Sequence, residues 1–245
     1  MIRIENISKI YKNSTEFAVN NISLKINKGE IFGLLGTNGA GKTTTFAMLC
    51  GLFLPTSGEI YINNLSVRTQ ISEIKKIIGV VPQNIALYPT LTANENLLFF
   101  GKMYGLNRQE LNISIKHWLK IFGLSKYADK KIKTYSGGMK RRINLIAGIL
   151  HKPNVLLLDE PAVGIDTHSR LEIMKELKKI NENGTTIIYT SHYLEEAEKL
   201  CTDIAIIDKG KIILQGKPLQ LVKKAACSNL EELFFSLTGN KSNNV

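Results

Sequence analysis

The segment Gly36-Thr37-Asn38-Gly39-Ala40-Gly41-Lys42-Thr43 constrains this chain more than any other. Its G-x-x-x-x-G-K-[ST] spacing is that of a loop that wraps the phosphates of a nucleoside triphosphate. Gly36, Gly39 and Gly41 can take backbone angles closed to other residues, so successive N–H groups can turn toward one anion. The apolar run Ile31 to Leu35 predicts a buried strand before the loop. The run from Lys42 to Gly51 predicts a helix after it, whose N-terminal amides and dipole face the same anion. In that setting Lys42 is a point charge for the β- and γ-phosphates, and the Thr43 hydroxyl is a ligand for Mg²⁺. The nucleotide-binding candidates here are Gly36, Thr37, Asn38, Gly39, Ala40, Gly41, Lys42, Thr43 and Thr44.

A chain of 245 residues with 44% hydrophobic and 22% charged residues can bury a large core. No apolar run reaches the roughly 18–20 residues that a membrane helix needs. The start, Met1-Ile2-Arg3-Ile4-Glu5, lacks the apolar centre of a secretory signal. Cys50, Cys201 and Cys227 are scattered without metal spacing, which fits buried, reduced thiols of a cytosolic protein. The formal net charge is +11, yet 26 of the 32 basic residues are lysines, dispersed along the chain. Arginine, the better reader of bases and phosphates, is sparse, so nucleic-acid binding is not expected.

Apolar–polar alternation predicts strands at Ile2–Ile7 and Ile22–Ile26, and further strands at 59–62 and 77–81. Between Leu91 and Tyr127 the pattern is helical throughout. Thr92 to Glu95 and Asn107 to Glu110 both have capping-box spacing. Strand and helix then alternate: a helical stripe from Met139 to Leu150, a strand at 155–158, a helix through Ile173 to Ile180, and a strand from Thr185. Asp208-Lys209-Gly210 predicts a hairpin turn. Ser228 to Glu231 predicts a last capping box and a short helix to Thr238, followed by a polar tail. This alternation predicts an α/β fold with a mostly parallel sheet covered by helices.

Four further groups carry chemistry. Asp159 and Glu160 end the most apolar strand, where Asp159 can hold Mg²⁺ and Glu160 can polarise an attacking water as general base. The plainer alternative is a pair of carboxylates capping a turn. Ser136-Gly137-Gly138 precedes a helix and offers a second anion-binding helix end, or a simple N-cap. Tyr11 presents a π face that could stack on a base, although an exposed loop tyrosine is the commoner case. Gln83 and His192 each follow a strand and by themselves carry no role.

Taken in order, these pieces resemble the nucleotide-binding subunit of an ATP-binding cassette (ABC) transporter. The likeness runs from Tyr11 through the loop 36–43, Gln83, Tyr135-Ser136-Gly137-Gly138-Met139, Asp159-Glu160 and Asp166 to His192, and covers about Ile2 to Val222. It implies a P-loop NTPase fold: a RecA-like parallel sheet with helices, an antiparallel β edge and an inserted α-helical subdomain near 84–135. Residues 2–225 would form the ATPase domain and 226–245 a short helix and tail. The resemblance further implies that Tyr11 stacks on adenine and that Gln83, Thr43 and Asp159 serve Mg²⁺. Glu160 would be the base, and His192 would hold the γ-phosphate. Ser136, Gly137 and Gly138 would contact the ATP of a second, head-to-tail subunit, with Asp166 at the dimer interface.

Ser136 to Arg142, Tyr193 to Glu198 and Leu230 to Phe234 further resemble the drug- and antibiotic-resistance exporter branch. There the ATPase is a separate chain bound to a multi-spanning membrane permease, at the cytoplasmic face of the membrane. The chain departs from the family pattern in three places. Thr37 stands for a common Pro, Tyr135 for Leu, where it bears on the dimer contact, and Ala162 for Thr. A soluble ABC ATPase, such as one serving iron–sulfur cluster assembly, and an importer subunit share this cassette and stay open as alternatives.

Overall fold

The computed structural model describes residues 1–12 and 14–239. The chain divides into two compact units, 1–75 together with the chain from 186 onward, and 76–185. In chain order the elements begin with β1 Ile2–Ile10, β2 Phe17–Ile26, β3 Ile31–Leu35, α1 Lys42–Leu49, β4 Ser57–Ile62, β5 Leu65–Ser66 and α2 Ile71–Ile77. They continue with β6 Ile78–Val81, α3 Ala93–Met103, α4 Arg108–Ile121, α5 Gly137–Ile149, β7 Val155–Asp159 and α6 Thr167–Glu182. The last are β8 Thr186–Ser191, α7 Leu194–Leu200, β9 Asp203–Asp208, β10 Lys211–Gly216, α8 Pro218–Lys224 and α9 Leu230–Thr238.

The first unit holds an antiparallel sheet in the order β2-β1-β4-β5. Ile2 and Ile4 of β1 face Ile26 and Leu24 on one side and Ile62 and Ile60 on the other. All six are buried, so alternation places one apolar face inward. After Ile4 the β1–β2 register shifts at Asn6, whose φ of 51° lies in the left-handed region that Asn tolerates. The same unit pairs β3 in parallel with β8 and β9. Every residue of β3 and β8 is buried, which is why β3 reads as an unbroken apolar run, while β8 keeps buried Thr186, Thr190 and Ser191 around its apolar centre. The β9–β10 hairpin turns at Lys209 (φ 45°) and Gly210 (φ 76°), the two positive angles of a primed turn.

In the second unit β6 and β7 pair in parallel, and α3 to α6 supply the helices. Thr92 caps α3 reciprocally: its hydroxyl accepts from the Glu95 N–H at 3.1 Å, and the Glu95 carboxylate accepts from the Thr92 N–H at 2.7 Å. Asn107 accepts from the Glu110 N–H at 2.9 Å to start α4. Between 91 and 127 the described residues hold helix and turn, as the pattern predicts.

The last cap differs from expectation by one residue. Asn229, not Ser228, caps α9 and accepts from the Glu232 N–H at 2.8 Å, while the Glu232 carboxylate takes the Ser228 N–H and hydroxyl. Asn caps as well as Ser, and starting at Leu230 buries Leu230, Leu233 and Phe234 together. Residues 240–245 of the expected tail lie outside the described residues. Among those described, no helix is long and apolar enough to cross a membrane.

Candidate functional site

In the first unit, β3 delivers the chain to Gly36, where a Cβ would lie 2.4 Å from the Ile207 carbonyl oxygen of β9. Only glycine fits there. Gly41 takes φ 111°, and a Cβ on it would meet the Ala18 carbonyl oxygen at 2.6 Å. The hairpin turn backs the loop, with Gly210 N–H donating to the Ala40 carbonyl at 2.9 Å. Lys42 is 4% exposed, and its ammonium donates to the carbonyls of Gly36 (2.8 Å) and Thr37 (3.0 Å). A cation is thereby held inside the curl of the loop. No side chain caps α1 and no acidic residue lies in its first turn, so its positive end stays electrostatically open. Thr43 is exposed at that end, and the Thr45 hydroxyl is spent on the Gly41 carbonyl.

Two more candidates fall in this unit. Leu35 of β3 pairs with Ser191 of β8, so His192 leaves the sheet at the same edge as Gly36. His192 is exposed, with its ring 4.2 Å from that of Tyr193, whose N–H donates to the Ser191 hydroxyl. The Tyr11 hydroxyl lies 3.1 Å from the Thr44 hydroxyl, and the ring meets Phe53 edge-on while staying 43% exposed. Tyr11 is thus tethered to the first turn of α1 with a face left to solvent.

In the second unit, β7 is buried along its length and pairs Leu158 with Val81 of β6. That register brings Gln83 to the strand end that carries Asp159 and Glu160. The Gln83 side-chain nitrogen donates to the Glu160 carboxylate at 3.0 Å. Asp159 and Glu160 are 3% and 6% exposed. Glu160 has φ 46°, a left-handed conformation unusual for a non-glycine residue, at the turn where the strand ends.

Ser136 caps α5, accepting from the Met139 N–H at 3.3 Å. The N-cap reading is therefore met, and it does not use Gly137. A Cβ on Gly138 would lie 2.7 Å from the Ser169 hydroxyl, whereas Gly137 is exposed and a Cβ on it would make only an ordinary contact, 3.6 Å from the Gly164 carbonyl oxygen. Asp166 caps α6 through the Ser169 N–H at 2.9 Å, and its hydrogen bonds to Ser169 lower its pKa. The starts of α5 and α6 thus share one exposed corner. Tyr135 points the other way: it is 5% exposed and donates to the Tyr127 carbonyl at 2.5 Å. Ala162 is also buried.

Two residues absent from the sequence-based candidates lie beside this set. Arg141 and Asn144, both on α5, are 5% and 4% exposed. Burial lowers the Arg141 pKa, opposed by the charges of Asp159 and Glu160. The only signal in the sequence is two polar residues interrupting the apolar stripe Ile143, Ile146, Ala147 and Leu150.

A family model described as ABC transporter matches residues 19–163. The linearmycin resistance ATP-binding protein LnrL of Bacillus subtilis is 48% identical over 96% of this chain and 75% of its own length. The Nod factor export ATP-binding protein I of Cupriavidus metallidurans is 35% identical over 96% of this chain and 77% of its own. A dimeric, post-hydrolysis structure of the ATP-binding cassette MJ0796 bound to ADP and Pi superposes with a TM-score of 0.81 at 30% identity, covering 89% of this chain and 98% of that one. The chain belongs to the ABC transporter family, as an ATP-binding, ATP-hydrolysing subunit with the P-loop NTPase fold.

Proposed function

We propose that this subunit powers an exporter of the drug- and antibiotic-resistance type, at the cytoplasmic face of the membrane, bound to a separate multi-spanning permease. The names of its relatives, linearmycin resistance and Nod factor export, support that direction. The observation that carries the catalytic half is the Gln83–Glu160 hydrogen bond at the end of β7.

The residue roles follow from chemistry. Residues 36–44 hold the ATP phosphates, with Lys42 as cation and the open end of α1 as dipole. The exposed ring of Tyr11 takes the adenine, and His192 takes the γ-phosphate. Glu160 accepts the proton of the attacking water, and Gln83 fixes the carboxylate. The hydroxyl of Thr43, the carboxylate of Asp159 and the amide oxygen of Gln83 are hard oxygen donors of the kind Mg²⁺ takes, so the residues fit that ion. Bound there, it would neutralise charge on the phosphates. Ser136, Gly137 and Gly138 contact the nucleotide of a second copy, packed head to tail, with Asp166 at the interface. The exposure of Gly137 and the dimeric state of the MJ0796 relative support this arrangement.

The test is co-purification from membranes, followed by reconstitution and an ATPase panel of candidate drugs. The expected result is a bound multi-spanning protein, hydrolysis stimulated by a cargo, and ATP-dependent uptake of that cargo into inside-out vesicles. Hydrolysis indifferent to every membrane partner and cargo would contradict the exporter reading.

A further inference from the structure

The buried face of α5 is polar where it meets the chain around Gln83. The Arg141 Nη1 donates to the carbonyls of Pro82 (3.2 Å) and Gln83 (2.8 Å), and Nη2 donates to the carbonyl of Val163 (3.4 Å). Asn144, three residues on and so on the same face, donates to the Pro82 carbonyl at 3.3 Å and accepts from the Ala86 N–H at 3.3 Å. One face of α5 therefore grips the backbone on both sides of Gln83, while the Gln83 side chain holds Glu160. Val163 lies three residues after Glu160, and its N–H donates to the Glu160 carbonyl at 3.3 Å. Arg141 thus touches the segment whose Gln83 holds the Glu160 carboxylate and the turn that binds the Glu160 main-chain carbonyl. It stands five residues from Ser136, about 7 Å along the same rigid helix.

The chemistry of this contact is specific to arginine. A planar guanidinium holds its donors in a fixed fork, so it can serve three carbonyls on two segments in one defined geometry. An apolar side chain cannot do this, and a lysine's freely turning ammonium does not hold that geometry. The hydrogen-bond partners of Arg141 are neutral carbonyls, and burying a cation among them costs desolvation that only hydrogen bonds and nearby opposite charge can offset. Asp159 and Glu160 are the anions that offset it.

We propose that Arg141 is a positioning residue that couples the Ser136-Gly137-Gly138 end of α5 to the Gln83–Glu160 pair. Engagement of that helix end by nucleotide then sets the carboxylate for proton abstraction. The inference rests on the reading of Glu160 as base and of Ser136–Gly138 as a nucleotide contact.

A double-mutant cycle in the full chain tests it, with Arg141→Gln, Gln83→Ala and their combination. Each single variant is expected to lower kcat by roughly ten- to a hundredfold, with KM for ATP within about twofold. The Hill coefficient for ATP should fall toward one. The double variant should be no slower than the slower single variant, because both remove the same linkage. Losses that multiply, or a Hill coefficient and kcat that stay at the parent value, would overturn the proposal. Thermal unfolding and binding of a fluorescent ATP analogue at the phosphate loop report folding. If Arg141→Gln lowers the midpoint, Arg141→Lys runs the same cycle, keeping the charge and most of the stem but losing the fork. Near-normal hydrolysis by Glu160→Gln would instead remove the base reading itself. A crippled Glu160→Gln alongside multiplying losses in the cycle would remove only the coupling.

Discussion

The Gln83 side-chain nitrogen donates to the Glu160 carboxylate across 3.0 Å, joining residues 77 positions apart. The bond fixes an acid whose backbone already sits in a left-handed conformation. Removing the donor takes away one restraint on the orientation of the carboxylate. Gln83→Ala is therefore expected to lower kcat by roughly ten- to a hundredfold, as misplaced catalytic groups do, and to leave KM for ATP within about twofold. Steady-state phosphate release checks this. A raised KM at unchanged kcat would show that Gln83 serves binding instead.

Gly137 and Gly138 separate function from packing. A Cβ at Gly137 makes only an ordinary contact, 3.6 Å from the Gly164 carbonyl oxygen, whereas one at Gly138 presses on the Ser169 hydroxyl at 2.7 Å. Gly137→Ala should leave the thermal midpoint unchanged or slightly raised, because Ala is the better helix former, and should still reduce hydrolysis. Gly138→Ala should lower both. Full hydrolysis by a stable Gly137→Ala would leave that glycine with no role in nucleotide contact.

The Tyr11 ring is 43% exposed while its hydroxyl reaches Thr44. If the ring stacks on adenine, Tyr11→Ala should weaken ATP binding by about 5- to 150-fold, from stacking worth about 1–3 kcal/mol. Tyr11→Phe keeps the face and should bind within about twofold of the parent. Titration with a fluorescent ATP analogue decides it, and equal losses in both variants would assign the role to the hydroxyl.

Burial raises the Tyr135 phenol to a pKa of about 12. An unfolded tyrosine ionises near pH 10. Between those values the unfolded chain has lost the proton and the folded chain has kept it, so stability falls as pH rises. At neutral pH Tyr135→Phe should cost about 1 kcal/mol for the hydrogen bond to the Tyr127 carbonyl. That deficit should shrink above pH 10, because the variant has no phenol to ionise. Urea unfolding at pH 7 and pH 11 measures it, and a constant deficit would contradict the assignment.

Legibility from sequence followed the range of the interactions. The strand Ile31–Leu35, the Thr92 cap and the Asp208–Gly210 turn are local, and their residues alone specify them. Short elements escaped: β5 has two residues, and α2 and α8 have seven each, too few to show a period. For α8 a signal existed, proline at its first position. Arg141 escaped for a different reason. Its acceptors at Pro82 and Gln83 lie 59 and 58 residues away, so nothing near it in the chain explains a buried cation. Tyr135 is buried and its hydroxyl finds Tyr127, a contact that no local pattern announces.

The central claim is that hydrolysis requires two copies, each supplying Ser136–Gly138 to the other's ATP, with Glu160 as base. Glu160→Gln removes the base and preserves the size and shape of the side chain, so turnover should fall by roughly 10²–10⁴ while ATP stays bound. Light scattering on that variant is the most direct measurement. The expected result is a doubling of mass on adding ATP with Mg²⁺, abolished by Ser136→Arg. A mass that stays at one chain under saturating ATP would contradict the account.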